Sequence, residues 1–454
     1  MLCLTDNQPS LWESILRPDL FEMNEELAAV DRFLNDERFL APFKEKFYTR
    51  VGRPTVPVAT YLRMMYLKRR YKMGYETLVK EVHDSFAWRR FCRLSLEGKV
   101  PDDTTLIKLT HKYGDDTLRE LNDAVVLKLK EEKVIRGKKL RVDTTVTEAN
   151  VHYPTDTGLM ADGVKVITRT VSKVKRLVTG VGKGFRNHTR KVKKMCQALN
   201  KVLSNRVSLS NPALVKAKGK MIGVAEDVIT EAKEVLRELE AAGGPSSRVR
   251  SLSRQLGDWL EATQKVTEQT RQVLAGQRHL KDRVVSIFDT TARPIRKGKL
   301  RVDTQFGRKV LLGETDHGII TTYQVLEGNP ADTGLLKAAV RGHRRLFRRR
   351  LRAIAGDRGM YSRQNELWLK AKGSGVKQVS IPATGKPSAE KRAEQRESWF
   401  RRLQRFRAGA EGRISVLKRL FGLDRSLMRG GSGTEIWVGQ SIFAHNLWQA
   451  AKII

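Results

Sequence analysis

Cysteine is nearly absent from this chain. Cys3, Cys92 and Cys196 are scattered over 454 positions, so there is no disulfide framework and no cysteine-based zinc spacing. A reducing, cytoplasmic compartment is expected. No apolar run approaches the length of a membrane span. The N-terminus, MLCLTDNQPSLWES, lacks the basic segment and apolar run of a signal peptide. A long amphipathic anchor with an aromatic face is missing too, so no membrane partner is expected. Acidic residues are also scarce, 50 against 87 Lys and Arg, which leaves a formal net charge of +37. What is present is 40% hydrophobic, too much for a disordered basic tail, and long enough for two or three domains. A folded body with such an excess repels itself unless something anionic binds it. Nucleic acid is the best candidate, because Lys and Arg displace counterions from a phosphate backbone.

Residues 1–130 read as a helical N-terminal domain for DNA binding or dimerisation. Pro54 and Pro57 precede VATYLRMMYLKRRY, whose apolar residues recur at helical spacing. YETLVKEVHD and SFAWRRFCRL follow as short amphipathic helices, and Asp102, Asp103 and Thr104 can cap the next one. Short, tightly joined helices with Arg and Lys on their polar sides suit a helix-turn-helix unit. At 138–150 the chain turns β-branched, a strand. Helical periodicity returns from about 165 to 285, broken by GGPSS at 243–247, which predicts a helical hairpin. The run from VKVITRTVSKVKR to HTRKVKKMC is strongly basic, with lysines able to reach phosphates. VVSIF near 284 predicts another strand. RKVLLGETDHGIITTYQVLEG predicts a hairpin turning at Asp316-His317-Gly318. A basic helix, the strands LRAIAGD and VKQVSIP, and the helix ESWFRRLQRFRAGAEGRISVLKRLFG complete the pattern. The fold class is α/β, a mixed sheet core (131–160 and 284–425) interrupted by a helical insertion (161–283). A helix at 426–454 closes the chain.

Two near-copies, KLRVDTTVTEAN and KLRVDTQFGRKV, present Asp143 and Asp303. Asp357 closes a later strand and Glu411 sits in a basic helix. Strand-end carboxylates and one from a docked helix can converge on a cation. Taken singly, an Asp at a strand end is more often a turn residue, and a Glu among arginines a surface ion-pair partner. The residues alone reach a basic α/β protein acting on nucleic acid.

Three stretches go further. RVDTTVTEANVHYPTD, AGDRGMYS and RFRAGAEGRISVLKR resemble the catalytic motifs of bacterial insertion-sequence transposases of the acidic-triad (DDE) type, which have a ribonuclease-H-like core. The last motif reads Arg407, Glu411, Lys418. The tyrosine usual three positions before the arginine is Gln404 here, and Met360 and Tyr361 displace the aromatic that follows Asp-x-Gly. The resemblance implies that Asp143, Asp357 and Glu411 are catalytic and hold divalent metal, two Mg²⁺ with Mn²⁺ as the other option. It assigns Asp143 rather than Asp303 to the site. Asp289 is expected in a loop, and Asp332 as the cap of a helix starting at Thr333 or Gly334. His152 and His445 are expected to be structural. Arg407, Glu411 and Lys418 fall near one helix face, and both cations are expected to contact phosphates. With the whole-chain charge, Arg344, Arg345, Arg348 and Arg349 are expected to track the DNA backbone. Further implications are double-stranded DNA partners (terminal inverted repeats and target), a homodimer on DNA, a nucleoid-associated location, and end cleavage followed by joining. The alternatives are a structure-specific nuclease of similar fold and a non-catalytic DNA-binding protein.

Overall fold

The computed structural model describes all residues except 6–14, 47–51, 53, 205–210, 243–245, 278–279, 281, 297–303 and 349–350. In chain order the main elements begin with α1 (Glu25–Leu34), α2 (Val58–Arg70), α3 (Tyr75–Asp84), α4 (Phe86–Phe91) and α5 (Asp103–Glu131). Strand β1 (Lys139–Ala149) precedes four helices, α6 (Asp156–Leu177), α7 (Thr189–Ser204), α8 (Pro212–Ala241) and α9 (Ser247–Leu274). Then come β2 (Arg293–Arg296), β3 (Thr304–Glu314), β4 (Ile320–Val325), α10 (Asp332–Phe347), β5 (Ala353–Gly356), α11 (Arg363–Lys370) and β6 (Gln378–Ser380). The chain finishes with α12 (Ala389–Arg396), α13 (Ser398–Phe421), β7 (Arg425–Ser426) and α14 (Gly430–Ile453). It divides into two compact units, residues 1–150 with 308–454, and residues 151–307.

In the first unit the sheet runs β4-β3-β1-β5-β6, with β7 on the far end of β1. β3 and β4 are antiparallel around the 316–318 turn, whereas β1, β5 and β6 are mutually parallel neighbours. This is a mixed α/β fold. Alternation along each strand sends Leu140, Val142, Leu311, Ile354 and Val379 to one face, where Leu336, Ala339 and Val340 of α10 cover them. On the other face Val310, Leu312 and Tyr323 meet Leu417 of α13 and Val438 and Ile442 of α14, while Ala353 and Ala355 meet Leu403. The N-terminal helices share a core with α14 through Phe39, Tyr66, Phe443 and Leu447. α5 starts where expected, its N-cap Asp102 accepting from the Thr105 amide at 2.8 Å.

Helix α2 departs from the expected polar face. It is buried on all sides, and three of its four cations, Arg63, Lys68 and Arg69, are buried with it. Arg63 pairs with Asp31 at 2.7 Å. Arg69 donates to Gln440 and stacks over Trp437 at 3.6 Å. The basic face expected on this helix is not formed, because these long side chains bury their stems and find internal acceptors.

The second unit has its own core from α6 to α9, with the hairpin of α8 and α9 in place. The VVSIF run is not a strand. Val284, Val285 and Ile287 are buried, but a single side chain replaces a neighbouring strand. Gln269 of α9 accepts from the Val284 amide at 3.0 Å and donates to its carbonyl at 3.1 Å. β2 instead forms at 293–296, antiparallel to 304–307. The described residues include no helix long and apolar enough to cross a membrane.

Two buried histidines give the first unit an acid sensitivity. His343 is bonded at Nδ1 to Thr321 Oγ1 and at Nε2 to the Gly137 carbonyl, both at 2.9 Å. Burial pushes its pKa down to about 4. His445 lies against the Arg413 guanidinium at 3.1 Å. Burial first, then that charge, pushes it down to about 3. Both are neutral when folded, and an unfolded imidazole titrates near about 6.5. As pH falls below that value the unfolded chain gains protons that the folded one refuses, so stability drops. From pH 7 to 5 the loss is about 2 kcal/mol per histidine. Urea midpoints at the two pH values will show it, and His343→Gln should about halve the difference.

Candidate active site

The register of the parallel strands places the first two carboxylates. Val142 of β1 stands beside Gly356 of β5, where their pairing ends. The next residues on each are Asp143 and Asp357, on backbones about 4.8 Å apart. Asp357 then caps a short turn at 358–360 by accepting from the Arg358 amide at 2.8 Å. Asp143 accepts from the Thr144 amide at 2.7 Å. Alternation puts Asp143 on the face crossed by α13, which carries Glu411.

Three features hold α13 close. Ala353 and Ala355 present little bulk beneath it. Gln404 donates to the Ser380 carbonyl at 2.7 Å and its hydroxyl at 3.0 Å, tying the helix to β6. Gly409 leaves room for Arg141, whose guanidinium a side chain there would strike.

The acidic groups converge on one cation. Arg407 Nη2 lies 3.6 Å from Asp143 Oδ2 and 3.6 Å from Asp357 Oδ1, while its Nη1 lies 3.4 Å from Glu411 Oε1. Two 3.6 Å legs meeting at one nitrogen keep the aspartate oxygens within about 7.2 Å of each other. Arg407 Nε is buried without a hydrogen-bond partner. Asp143 is mostly covered, but Asp357 and Glu411 have side chains 55% and 71% exposed, so the cluster opens to solvent. Among the described residues no three acidic, imidazole or thiol groups stand close enough to hold a metal ion as placed. The carboxylates surround the guanidinium instead.

Residues missed from sequence brace this cluster. Arg141, two positions before Asp143 on the same strand face, donates through Nε to Glu314 Oε2 at 2.8 Å and through Nη1 to the Phe406 carbonyl of α13 at 2.6 Å. Arg413 donates to the same Glu314 at 3.2 Å and on to His445. The period-two spacing of Arg141 and Asp143 was the available signal. Asp332 is not the cap of α10. The helix begins at Asp332 itself, after Ala331, with no side-chain cap. Its carboxylate pairs instead with the buried Lys309 at 2.6 Å and accepts from Thr144 Oγ1 at 3.4 Å.

Of the remaining cations, Lys418 is half-buried on α13. Arg344 donates to the Ser374 carbonyl at 2.7 Å and Arg345 to Asp123 at 2.8 Å. Arg348 is exposed just past α10. Arg349 and Asp303 lie outside the described residues. Asp289 is buried in a turn, accepting from Thr291 at 3.0 Å. His445 is fully buried, as expected of a structural histidine.

Two segments match known families. Residues 17–112 match the family described as Transposase domain (DUF772), and residues 281–447 match the Transposase DDE domain. Asp357, Arg407, Glu411 and Lys418 lie inside the second match, and Asp143 lies outside both. No solved structure matches the chain.

Proposed function

Because the chain belongs to the insertion-sequence transposases of the DDE type, we propose that it cleaves double-stranded DNA at the ends of such an element and joins the freed 3′ hydroxyls to target DNA. The observation that carries this is the convergence of Asp143, Asp357 and Glu411 on a single positive centre. The order of strands, β4-β3-β1-β5-β6, fits a ribonuclease-H-like core. Residues 1–130 are read as its helical partner, 131–160 with 284–425 as the catalytic core and 161–283 as an insertion.

Three carboxylates turned toward one cation carry the hard oxygen donors that Mg²⁺ or Mn²⁺ takes. As placed they close on Arg407 rather than on a metal site, and a divalent ion or a pair would take the place of that guanidinium. When bound, such ions lower the pKa of an attacking water and stabilise the departing oxygen. The chain's own residues supply position. Asp143 and Asp357 are fixed by backbone amides and by strand register. Glu411 rides on a helix tied down by Gln404 and Arg141. Arg407 holds the carboxylates' charge until a phosphate enters, then turns to that phosphate. Lys418, two helical turns beyond Glu411, meets the flanking backbone. Two ends must be held together, so a homodimer on DNA follows.

Purified protein with Mg²⁺ and end-containing duplex tests the reading. Cleaved ends joined to target support it. Cleavage without joined product would leave a structure-specific nuclease, and binding alone a non-catalytic DNA protein.

The shared guanidinium has its own consequence. Arg407→Gln removes the competing cation, so Mn²⁺ should bind several-fold more tightly without DNA, while cleavage falls at least about tenfold. Calorimetric Mn²⁺ titration checks the first part. Equal affinity in both proteins would mean that Arg407 does not engage the carboxylates in solution.

A further inference from the structure

The unit formed by residues 151–307 has segregated charge. Residues 163–220 carry sixteen Lys and Arg and no Asp or Glu. The next stretch, 221–268, carries nine acids and six cations. There the charges neutralise each other locally, as in Lys265–Glu261 at 2.7 Å and Arg237–Glu234 at 2.7 Å. The acid-free stretch behaves otherwise. Lys165, Arg169, Lys173 and Arg176 of α6 are exposed, and at 100° per residue they fall within an arc of about 80°. Val164, Ile167, Val171 and Val174 take the opposite side and are buried. On α7, Arg190 and Lys194 are exposed on one side, while Val192 and Leu199 are buried. Among the described residues none of these six cations forms an ion pair. Asp162 is one turn from Lys165 and acts on it only at longer range.

Uncompensated like charges along a helix repel, so they need a reason to be there. On α6 they recur every 4–6 Å or so along the axis. That spacing suits a polyanion with closely repeated charges better than isolated acidic side chains. The side chains on this face are long and cationic, without an aromatic platform for stacking on single-stranded bases. We propose that the unit of residues 151–307 holds double-stranded DNA by its phosphate backbone on the cationic face of α6 and α7, without reading base sequence. This rests on DNA being the substrate and adds a gripping surface carried by a different unit from the one that bears the carboxylates.

The test uses the full chain carrying Asp143→Asn, so that cleavage does not disturb binding. Fluorescence anisotropy with a mixed-sequence 30-base-pair duplex, over a range of NaCl, gives Kd and its salt slope. Replacing Arg169, Lys173, Arg190 and Lys194 with Glu should weaken binding at least about tenfold at physiological salt. Replacing them with Gln, a milder change to the fold, should lower the salt slope by about three to four. The control set Lys233, Arg237, Arg254 and Lys265 to Glu makes the same net charge change on α8 and α9 and should retain most of the affinity. Equal losses in both sets would overturn the proposal in favour of a bulk charge effect. Unchanged binding in the α6–α7 variants would overturn it too, while leaving the active-site reading intact. Failure of the parent protein to bind any duplex would sink both.

Discussion

Asp143→Asn will abolish strand cleavage, by roughly 10³–10⁶-fold, while leaving duplex affinity nearly unchanged. The amide keeps the shape of the carboxylate and an oxygen to accept from the Thr144 amide, so the fold has no reason to respond. It loses the negative charge that would make the position a ligand for a hard divalent cation, and Arg407 loses one of its three partners. If the three carboxylates act together, as proposed, adding Asp357→Asn or Glu411→Gln should cost little more. Asp332→Asn is the instructive contrast. That carboxylate is also nearby, but it is paired with Lys309, so its loss should be felt in stability before chemistry. Single-turnover cleavage of labelled end DNA measures all four. Full activity in Asp143→Asn would remove this residue from the site.

Glu314→Gln is expected to lower stability by about 3–5 kcal/mol, the largest single-residue effect on the fold proposed here. The Glu314 side chain is 5% exposed and takes hydrogen bonds from two guanidinium groups, those of Arg141 and Arg413. Removing its charge leaves two poorly solvated cations facing each other, with neutral His445 beyond. Arg141 also anchors the Phe406 carbonyl, so α13 should loosen and Glu411 with it. Replacing all three charged residues with apolar ones, Arg141→Met, Glu314→Leu and Arg413→Met, should restore much of the loss, since no buried charge is then unpaired. Urea unfolding of the single and triple variants distinguishes the two cases. A single variant as stable as the parent would mean that water reaches the cluster.

Much of this was legible in the sequence, for identifiable reasons. The β-branched run around Asp143 and the short apolar run before Asp357 formed the expected strands, because composition and turn residues agreed. The hairpin at 316–318 and the helical hairpin either side of 243–247 followed from Gly-containing breaks between periodic segments. VVSIF misled because an apolar run fixes burial, not partner. Gln269 supplied the hydrogen bonds that a neighbouring strand would have. The cations of α2 misled for a related reason, since charge in a sequence does not say whether Asp31 or Gln440 waits inside. Glu314 lies 173 residues from Arg141, and no local pattern reveals so distant a pairing. Arg407 was visible as a motif residue. Its contact with all three carboxylates depends on the β1–β5 register and on where α13 crosses it.

Anomalous scattering from crystals of the protein with end DNA and Mn²⁺ would locate the metal, the three acidic groups and the phosphate together. Expected are one or two manganese peaks at about 2.0–2.3 Å from carboxylate oxygens of Asp143, Asp357 and Glu411, with Arg407 swung onto a phosphate. Manganese bound elsewhere, with these three acidic groups more than about 10 Å apart around ordered DNA, would contradict it.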